Sequence, residues 1–188
     1  AFGYGLLLAE LYAFAVLLIG YFQTAWPLQR RPVPMPQDVS TWPSVDVFIP
    51  TYNEPLGVVR QTVFSAMSMD WPADRLHVYV LDDGRRSEFR DFCAELNVGY
   101  LVRDNNHHAK AGNINEALKV TDSDYVAIFD CDHIPTRSFL QVCMGWFFKD
   151  TKLVMLQTPH VFFSPDPFER NLDTFHRMPN EGELFYGI

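Results

Sequence analysis

The sequence is short of cysteine and of positive charge, and each shortage excludes a class of function. Its three cysteines, Cys93, Cys131 and Cys143, form neither a C-x-x-C pair nor an even set. A disulfide framework or a zinc knuckle is therefore not expected, and a reducing compartment is the simpler reading. Lys and Arg number 15 against 23 Asp and Glu, a formal charge of −8. So acidic a chain lacks the basic face that displaces phosphate counterions, and no nucleic-acid partner is expected. No G-x-x-x-x-G-K-[ST] loop, internal repeat or low-complexity tract occurs either. The 188 residues, 48% hydrophobic, suffice for one core burying about two-thirds of the unfolded surface.

Charge is also nearly absent from one end. Of the first 22 residues 18 are apolar, and Glu10 is the only charge before Arg30. At about 1.5 Å per residue such a helix reaches the roughly 30 Å of a bilayer core. A signal peptide would begin with basic residues and end at small ones around a cleavage site, and neither feature is present. Tyr21, Trp26, Arg30 and Arg31 follow as an aromatic belt and positive charge, which predicts that the rest of the chain is cytoplasmic. Glu10 is costly in lipid unless it faces another helix or a polar gap, so further membrane helices are expected in the full protein. With no initiating Met, the chain reads as a fragment. The mean hydropathy of −0.07 thus averages two objects, a membrane helix over 1–26 and an acidic domain over 45–188. Between them, 27–44 carries Pro27, Pro32, Pro34, Pro36 and Pro43 and predicts an extended, weakly structured linker.

Hydrophobic periodicity over 45–188 predicts strands at 45–49, 77–81, 100–102, 125–129 and 153–156. Helices are predicted at 56–69, 88–96, 113–120 and 136–149. This alternation implies βαβ units in an open, mostly parallel α/β sheet with flanking helices, preceded by one transmembrane helix. Ligands of such sheets sit outside the carboxyl ends of the strands. Four of the predicted strands end there in polar residues: Thr51-Tyr52-Asn53-Glu54, Asp82-Asp83-Gly84, Asp130-Cys131-Asp132-His133 and Gln157-Thr158-Pro159-His160.

Asp130 and Asp132 flank one residue of extended chain, so their side chains share a face. Two adjacent carboxylates repel unless one is protonated or a cation joins them, and Mg²⁺ is commonly held by one or two carboxylates plus substrate phosphates. His133 is either a partner of that pair or a structural histidine. In Asp82-Asp83-Gly84 a carboxylate can accept from ribose hydroxyls or a base N–H, and the glycine permits a sharp turn beside a ligand. Tyr52 offers a ring for stacking and Glu54 an acceptor, as a planar base requires. Lys110, before a helix predicted to start after Gly112, is within reach of a diphosphate. The neighbouring His107 and His108 do not suggest a metal site, because adjacent side chains diverge.

These motifs, with His108-Ala109-Lys110-Ala111-Gly112-Asn113, the stretch from Ser164 through Asp166, Glu169 and Leu172, and Leu184-Phe185-Tyr186-Gly187, stand in the order seen in processive family-two glycosyltransferases. From about Val45 onward the chain resembles the bacterial cellulose synthase catalytic subunits of that family. The resemblance implies a GT-A-type fold and transfer of glucose from UDP-glucose to a growing β-1,4-glucan with inversion. The residues over 45–188 would be the donor-binding half of the domain. By the same resemblance Tyr52 and Glu54 would contact uracil and Asp82 and Asp83 the uridine, with Thr51 a further substrate-binding residue. Lys110 would lie near the diphosphate, Asp130 and Asp132 near Mg²⁺ (or Mn²⁺), and His160 beside the sugar. It implies further a bacterial inner-membrane location, a periplasmic partner subunit and cyclic-di-GMP regulation through a PilZ domain. The family's Thr-Glu-Asp motif with the catalytic base and its Gln-x-x-Arg-Trp acceptor motif do not occur in these residues, and His107 stands where an acidic residue is expected. The alternatives are another processive synthase (other glucan, chitin or hyaluronan) and a nucleotide-sugar-binding subunit without turnover.

Overall fold

A computed structural model describes residues 2–25, 30–160, 164–174 and 177. Helix α1 (Phe2–Thr24) is the apolar run. Its Phe2–Gln23 stretch has a mean hydropathy of 2.0, is 0% buried and is long and apolar enough to cross a membrane. Trp26, Pro27 and the Leu184–Gly187 motif lie outside the described residues. Residues Pro32–Leu153 form one compact unit; α1 and the residues from Val154 onward belong to another.

Within the first unit a sheet is built from β1 (Val45–Thr51), β2 (Leu76–Asp82), β3 (Gly99–Leu101) and β4 (Tyr125–Ile128). All pairings are parallel and the order is β3-β2-β1-β4. The connecting helices are α2 (Leu56–Met67), α3 (Ser87–Leu96) and α4 (Ala109–Ala117), and α5 (Phe139–Lys149) follows β4. Strand β1 is buried at all seven positions, as expected of a central strand covered on both faces. Its residues alternate between two cores. Val45, Val47 and Ile49 pack with Val59, Val63, Phe89, Leu140 and Met144 from α2, α3 and α5. Phe48 packs on the other face with Leu81 and with Ala117 of α4. Each such fully buried side chain contributes roughly 1.5–3 kcal/mol.

The order reverses direction between β1 and β4, which makes their carboxyl ends the topological switch point where such sheets open a crevice. Pairing of β1 with β4 stops at Phe48↔Ile128, and Pro50, two residues on, has no N–H to extend it.

Three expectations change. Residues 153–156 form no strand: they have no regular secondary structure, and Val154 and Met155 are exposed. Helix α4 begins at Ala109, four residues before the predicted start, so Lys110 and Gly112 lie inside it. The proline-rich segment from Pro32 is a strap packed on the domain, not a loose tether. It contains a 3₁₀ turn (Val39–Thr41) capped by Asp38, and the Trp42 ring stacks on Trp71 with centroids 4.6 Å apart. Trp42 Nε1 donates to the Pro36 carbonyl at 2.9 Å, and a Cβ at Gly145 would lie 1.9 Å from the Val33 carbonyl oxygen. A six-residue helix, α6 (Pro167–Leu172), follows in the other unit, closed by a capping box between Asp166 and Glu169.

Candidate functional site

The carboxyl ends of β1, β2 and β4 and the start of α4 enclose a cleft of about 590 Å³. Thr51, Tyr52, Glu54, Asp83, Lys110, Asp130 and Asp132 all line it. Seven of the nine residues singled out from the sequence are therefore brought to one rim, and Asp82 is buried instead. His160 belongs to the other unit, which comprises Ala1–Arg31 and Val154–Ile188.

The β1 end is a rigid turn. Glu54 Oε2 accepts from the Thr51 hydroxyl and from the Tyr52 N–H, each at 2.8 Å. The Tyr52 N–H, with further backbone donors and the Thr51 hydroxyl, holds the Glu54 carboxyl below its usual range. That fixes Tyr52 at the rim, where about half of the residue is exposed and its ring is available for stacking.

The two aspartates after β2 have different duties. Asp82 is fully buried and faces the interior rather than the cleft. It accepts from the backbone N–H groups of Gly84 (2.9 Å) and Arg86 (2.7 Å), from Arg86 Nε and Nη2 (3.1 and 2.9 Å), and from the Tyr100 hydroxyl (3.0 Å). Burial and this bond to Asp82 push the Tyr100 hydroxyl up to about 12, so it remains a donor. Of the two aspartates only Asp83 lines the cleft. Gly84 is required by crowding and not by a turn: a Cβ there would lie 2.6 Å from the Tyr52 carbonyl oxygen, and the positive φ (54°) belongs to Arg85.

Asp83 is held by a residue the sequence reading missed. Arg103 donates Nε and Nη2 to its two oxygens, both at 2.6 Å, in a pair that is almost entirely buried. The same guanidinium donates to the carbonyls of His107 (2.6 Å) and Ala109 (2.9 Å). It thus stabilises the entry to α4, where His108 and Ala109 both have left-handed backbone (φ 60° and 44°). A Cβ at Gly112 would lie 2.0 Å from the His107 carbonyl oxygen, so only glycine lets α4 approach this closely. Asn113 Nδ2 donates to the Leu81 carbonyl at 2.9 Å and anchors the helix to β2. The signal in the sequence for Arg103 is its position just past the carboxyl end of β3, where the ligand side of a parallel sheet lies.

The β4 end is left more open. Asp130 and Asp132 are about half and two-thirds exposed, while Cys131 between them points inward and its carbonyl accepts from the Thr62 hydroxyl at 2.7 Å. Burial, then the nearby Glu54, Asp132 and Asp130 carboxylates, push the Cys131 thiol up to about 11, so it stays a neutral core group. Lys110 Nζ is ion-paired with Asp130 Oδ1, and His133 Nε2 lies 3.8 Å from Asp130 Oδ2 and 4.0 Å from Asp132 Oδ1. Among the described residues no group of three or more His, Cys, Asp or Glu is arranged to hold a metal alone. A pair of accessible carboxylates on one rim does suit a hard divalent ion whose other ligands are phosphate oxygens and water.

A model of glycosyl transferase family 2 matches residues 46–186. The chain belongs to that family. It is 67% identical over 187 residues to the "Cellulose synthase catalytic subunit [UDP-forming]" of Pseudomonas fluorescens, covering 100% of this chain and 25% of that protein. It is 69% identical over 186 residues to the protein of the same description from Xanthomonas axonopodis pv. citri, covering 99% of this chain and 26% of that one. The chain thus spans about a quarter of the length of these curated relatives. Among solved structures it is similar to a mannosyltransferase from Pyrobaculum calidifontis in complex with GDP-Man and Mn²⁺. That match has a TM-score of 0.55 at 25% identity, over 71% of this chain and 40% of that one. Staphylococcus aureus TarS in complex with UDP-GlcNAc, with a TM-score of 0.50 at 17% identity over 62% of this chain and 38% of that one, shares the fold. The sheet and flanking helices are those of a GT-A glycosyltransferase.

Proposed function

We propose that these residues are the donor-binding half of a membrane-bound, UDP-forming synthase that transfers glucose from UDP-glucose to a growing β-1,4-glucan with inversion. The observation that carries the proposal is the cleft itself. At the switch point of a parallel sheet, an accessible carboxylate pair on β4 and a lysine in the first turn of α4 face one cavity. Its supports are the identity to curated cellulose synthase catalytic subunits and the fold shared with a mannosyltransferase that binds GDP-Man and Mn²⁺.

In this reading the Tyr52 ring and Asp83 hold the nucleoside, with Glu54 keeping the Tyr52 turn in place. Thr51 and Asp82 shape the pocket through Arg86, to which both are bonded. Lys110 and the positive end of α4 meet the diphosphate. Asp130 and Asp132 would hold Mg²⁺ or Mn²⁺, which when bound supplies charge neutralisation to the departing UDP. The acceptor 4-hydroxyl bonds to the anomeric carbon as the bond to UDP breaks, and its proton passes to a general base. That base belongs to the remaining three-quarters of the enzyme, as does the acceptor site. The apolar α1 anchors the domain in the bacterial inner membrane, with 45–188 cytoplasmic below Arg30 and Arg31. The reading extends to a periplasmic partner subunit and to cyclic-di-GMP regulation of the full enzyme.

The test is incorporation of radiolabelled glucose from UDP-glucose by the full-length protein in nanodiscs, followed by digestion with a β-1,4-specific glucanase. Glucanase-sensitive polymer that disappears in Asp132→Asn is expected. A polymer resistant to the glucanase, or built from another sugar, would overturn the substrate assignment. Tight UDP binding without any turnover in the full-length protein would indicate a sensing subunit.

A further inference from the structure

The lysine and carboxylates of the cleft are arranged in a way that the donor-site reading does not require. Lys110 is placed to meet the diphosphate, yet in this structure its ammonium is bonded to Asp130, one of the two carboxylates assigned to the cation. The backbone beneath it is not free to move. Arg103 grips the carbonyls on either side of His108, Gly112 is wedged against His107, and Asn113 is bonded to β2. The side chain, by contrast, is half exposed and has four rotatable bonds. Any change of partner is therefore a rotation of one flexible side chain on a fixed helix.

Electrostatics favours such a change. Without a ligand, the ammonium offsets part of the repulsion between Asp130 and Asp132. The pair is exposed and so only weakly held, unlike the buried Asp83–Arg103 pair in the same cleft. A divalent ion carries twice the charge of the ammonium and would compete with it for Asp130, which with Asp132 would hold such an ion. An ammonium released from Asp130 would be available to the diphosphate.

We infer that Lys110 is a resident counter-ion, holding Asp130 in the nucleotide-free enzyme and exchanging it for the donor diphosphate when metal and nucleotide enter together. It therefore opposes metal binding in the empty site and favours nucleotide binding in the filled one. The inference rests on the donor-site reading above, and it predicts effects of opposite sign from one substitution.

The experiment is a titration of the nucleotide-free full-length enzyme with Mn²⁺, following free ion by electron paramagnetic resonance, and a titration with UDP at saturating Mn²⁺ by calorimetry. In Lys110→Met, Mn²⁺ binding without nucleotide should tighten about fivefold or more and UDP binding should weaken about tenfold. Lys110→Gln, which keeps a polar side chain on this exposed position, should shift both in the same directions. Unchanged or weaker Mn²⁺ affinity in both variants, with metal-dependent UDP binding intact in the wild type, would overturn the exchange alone. Absence of metal-dependent UDP binding in the wild type would overturn the donor-site reading and the exchange with it.

Discussion

Two strand ends of this domain each carry a pair of aspartates, and the protein treats them in opposite ways. After β2, Asp82 and Asp83 are buried and matched by Arg86 and Arg103, so their charge is neutralised by the fold itself. After β4, Asp130 and Asp132 are accessible, with Lys110 paired to Asp130 in solvent and His133 within 4.0 Å of both. The same residue type at the same topological position is neutralised by arginines of the fold in one case and left accessible in the other. What decides the difference is desolvation. A carboxylate taken out of water must receive its partners from the protein, whereas one at the rim can receive them from a ligand.

The largest effects should come from breaking the buried pairs. Arg103→Met leaves the Asp83 carboxylate buried and unpaired, and Asp82→Ala removes the acceptor of Arg86, of the Tyr100 hydroxyl and of two backbone N–H groups, each a loss of about 3–5 kcal/mol. Thermal unfolding of the full-length protein should show a clear fall in the domain's midpoint, and an unchanged midpoint would mean that these pairs are not scaffold. Next is Gly112→Ala, whose methyl would lie 2.0 Å from the His107 carbonyl oxygen. It should cost about 1–3 kcal/mol as an overpacked contact and weaken UDP binding by displacing the first turn of α4. Asp132→Asn should invert that profile. Stability should change by less than about 0.5 kcal/mol, as for an exposed site. Metal-dependent UDP affinity measured by calorimetry should nevertheless fall about tenfold, equivalent to roughly 1.4 kcal/mol.

The smallest effect concerns the β1 turn. The native Glu54 carboxyl titrates below its ordinary value of 4.5, so it contributes stability above that pH. The contribution is lost as pH falls through the lowered native value. Wild type should therefore exceed Glu54→Gln in melting temperature near neutrality, with the gap closing in acid. A gap that widens in acid would contradict the assigned hydrogen bonds.

The sequence alone was a good guide to what is periodic or local. Strands β1, β2 and β4 announce themselves as apolar runs ended by polar residues, and Asp130-Cys131-Asp132 is recognisable as two carboxylates one residue apart after such a run. The chain there is not extended as expected but a turn closed by the His133 N–H, which donates to the Asp130 carbonyl at 3.0 Å. Long-range pairing was harder to read. Residues 153–156 have the composition of a strand, but a strand also needs a neighbour, which composition does not specify. Gly112 reads as a helix breaker, whereas it is the residue that lets α4 pack against the His107 carbonyl. Five prolines suggest a loose linker, yet Trp42 and Trp71, 29 positions apart in the numbering, fix the strap by stacking. The separate duties of Asp82 and Asp83 were invisible for the same reason, since Arg103 reaches Asp83 from the loop after β3, 20 positions away in the numbering.

The central claim is that the β4 carboxylates, and not the β2 pair, receive the cation that joins the donor diphosphate to the protein. The most direct measurement is UDP affinity of the full-length enzyme with Mn²⁺ and with EDTA, in wild type and in Asp130→Asn, alongside the melting temperature of each. Wild type should bind UDP about tenfold or more tightly with Mn²⁺, and Asp130→Asn should lose that dependence while melting at the wild-type temperature. UDP binding that is equally tight in EDTA, or equally metal-dependent in Asp130→Asn, would contradict the account.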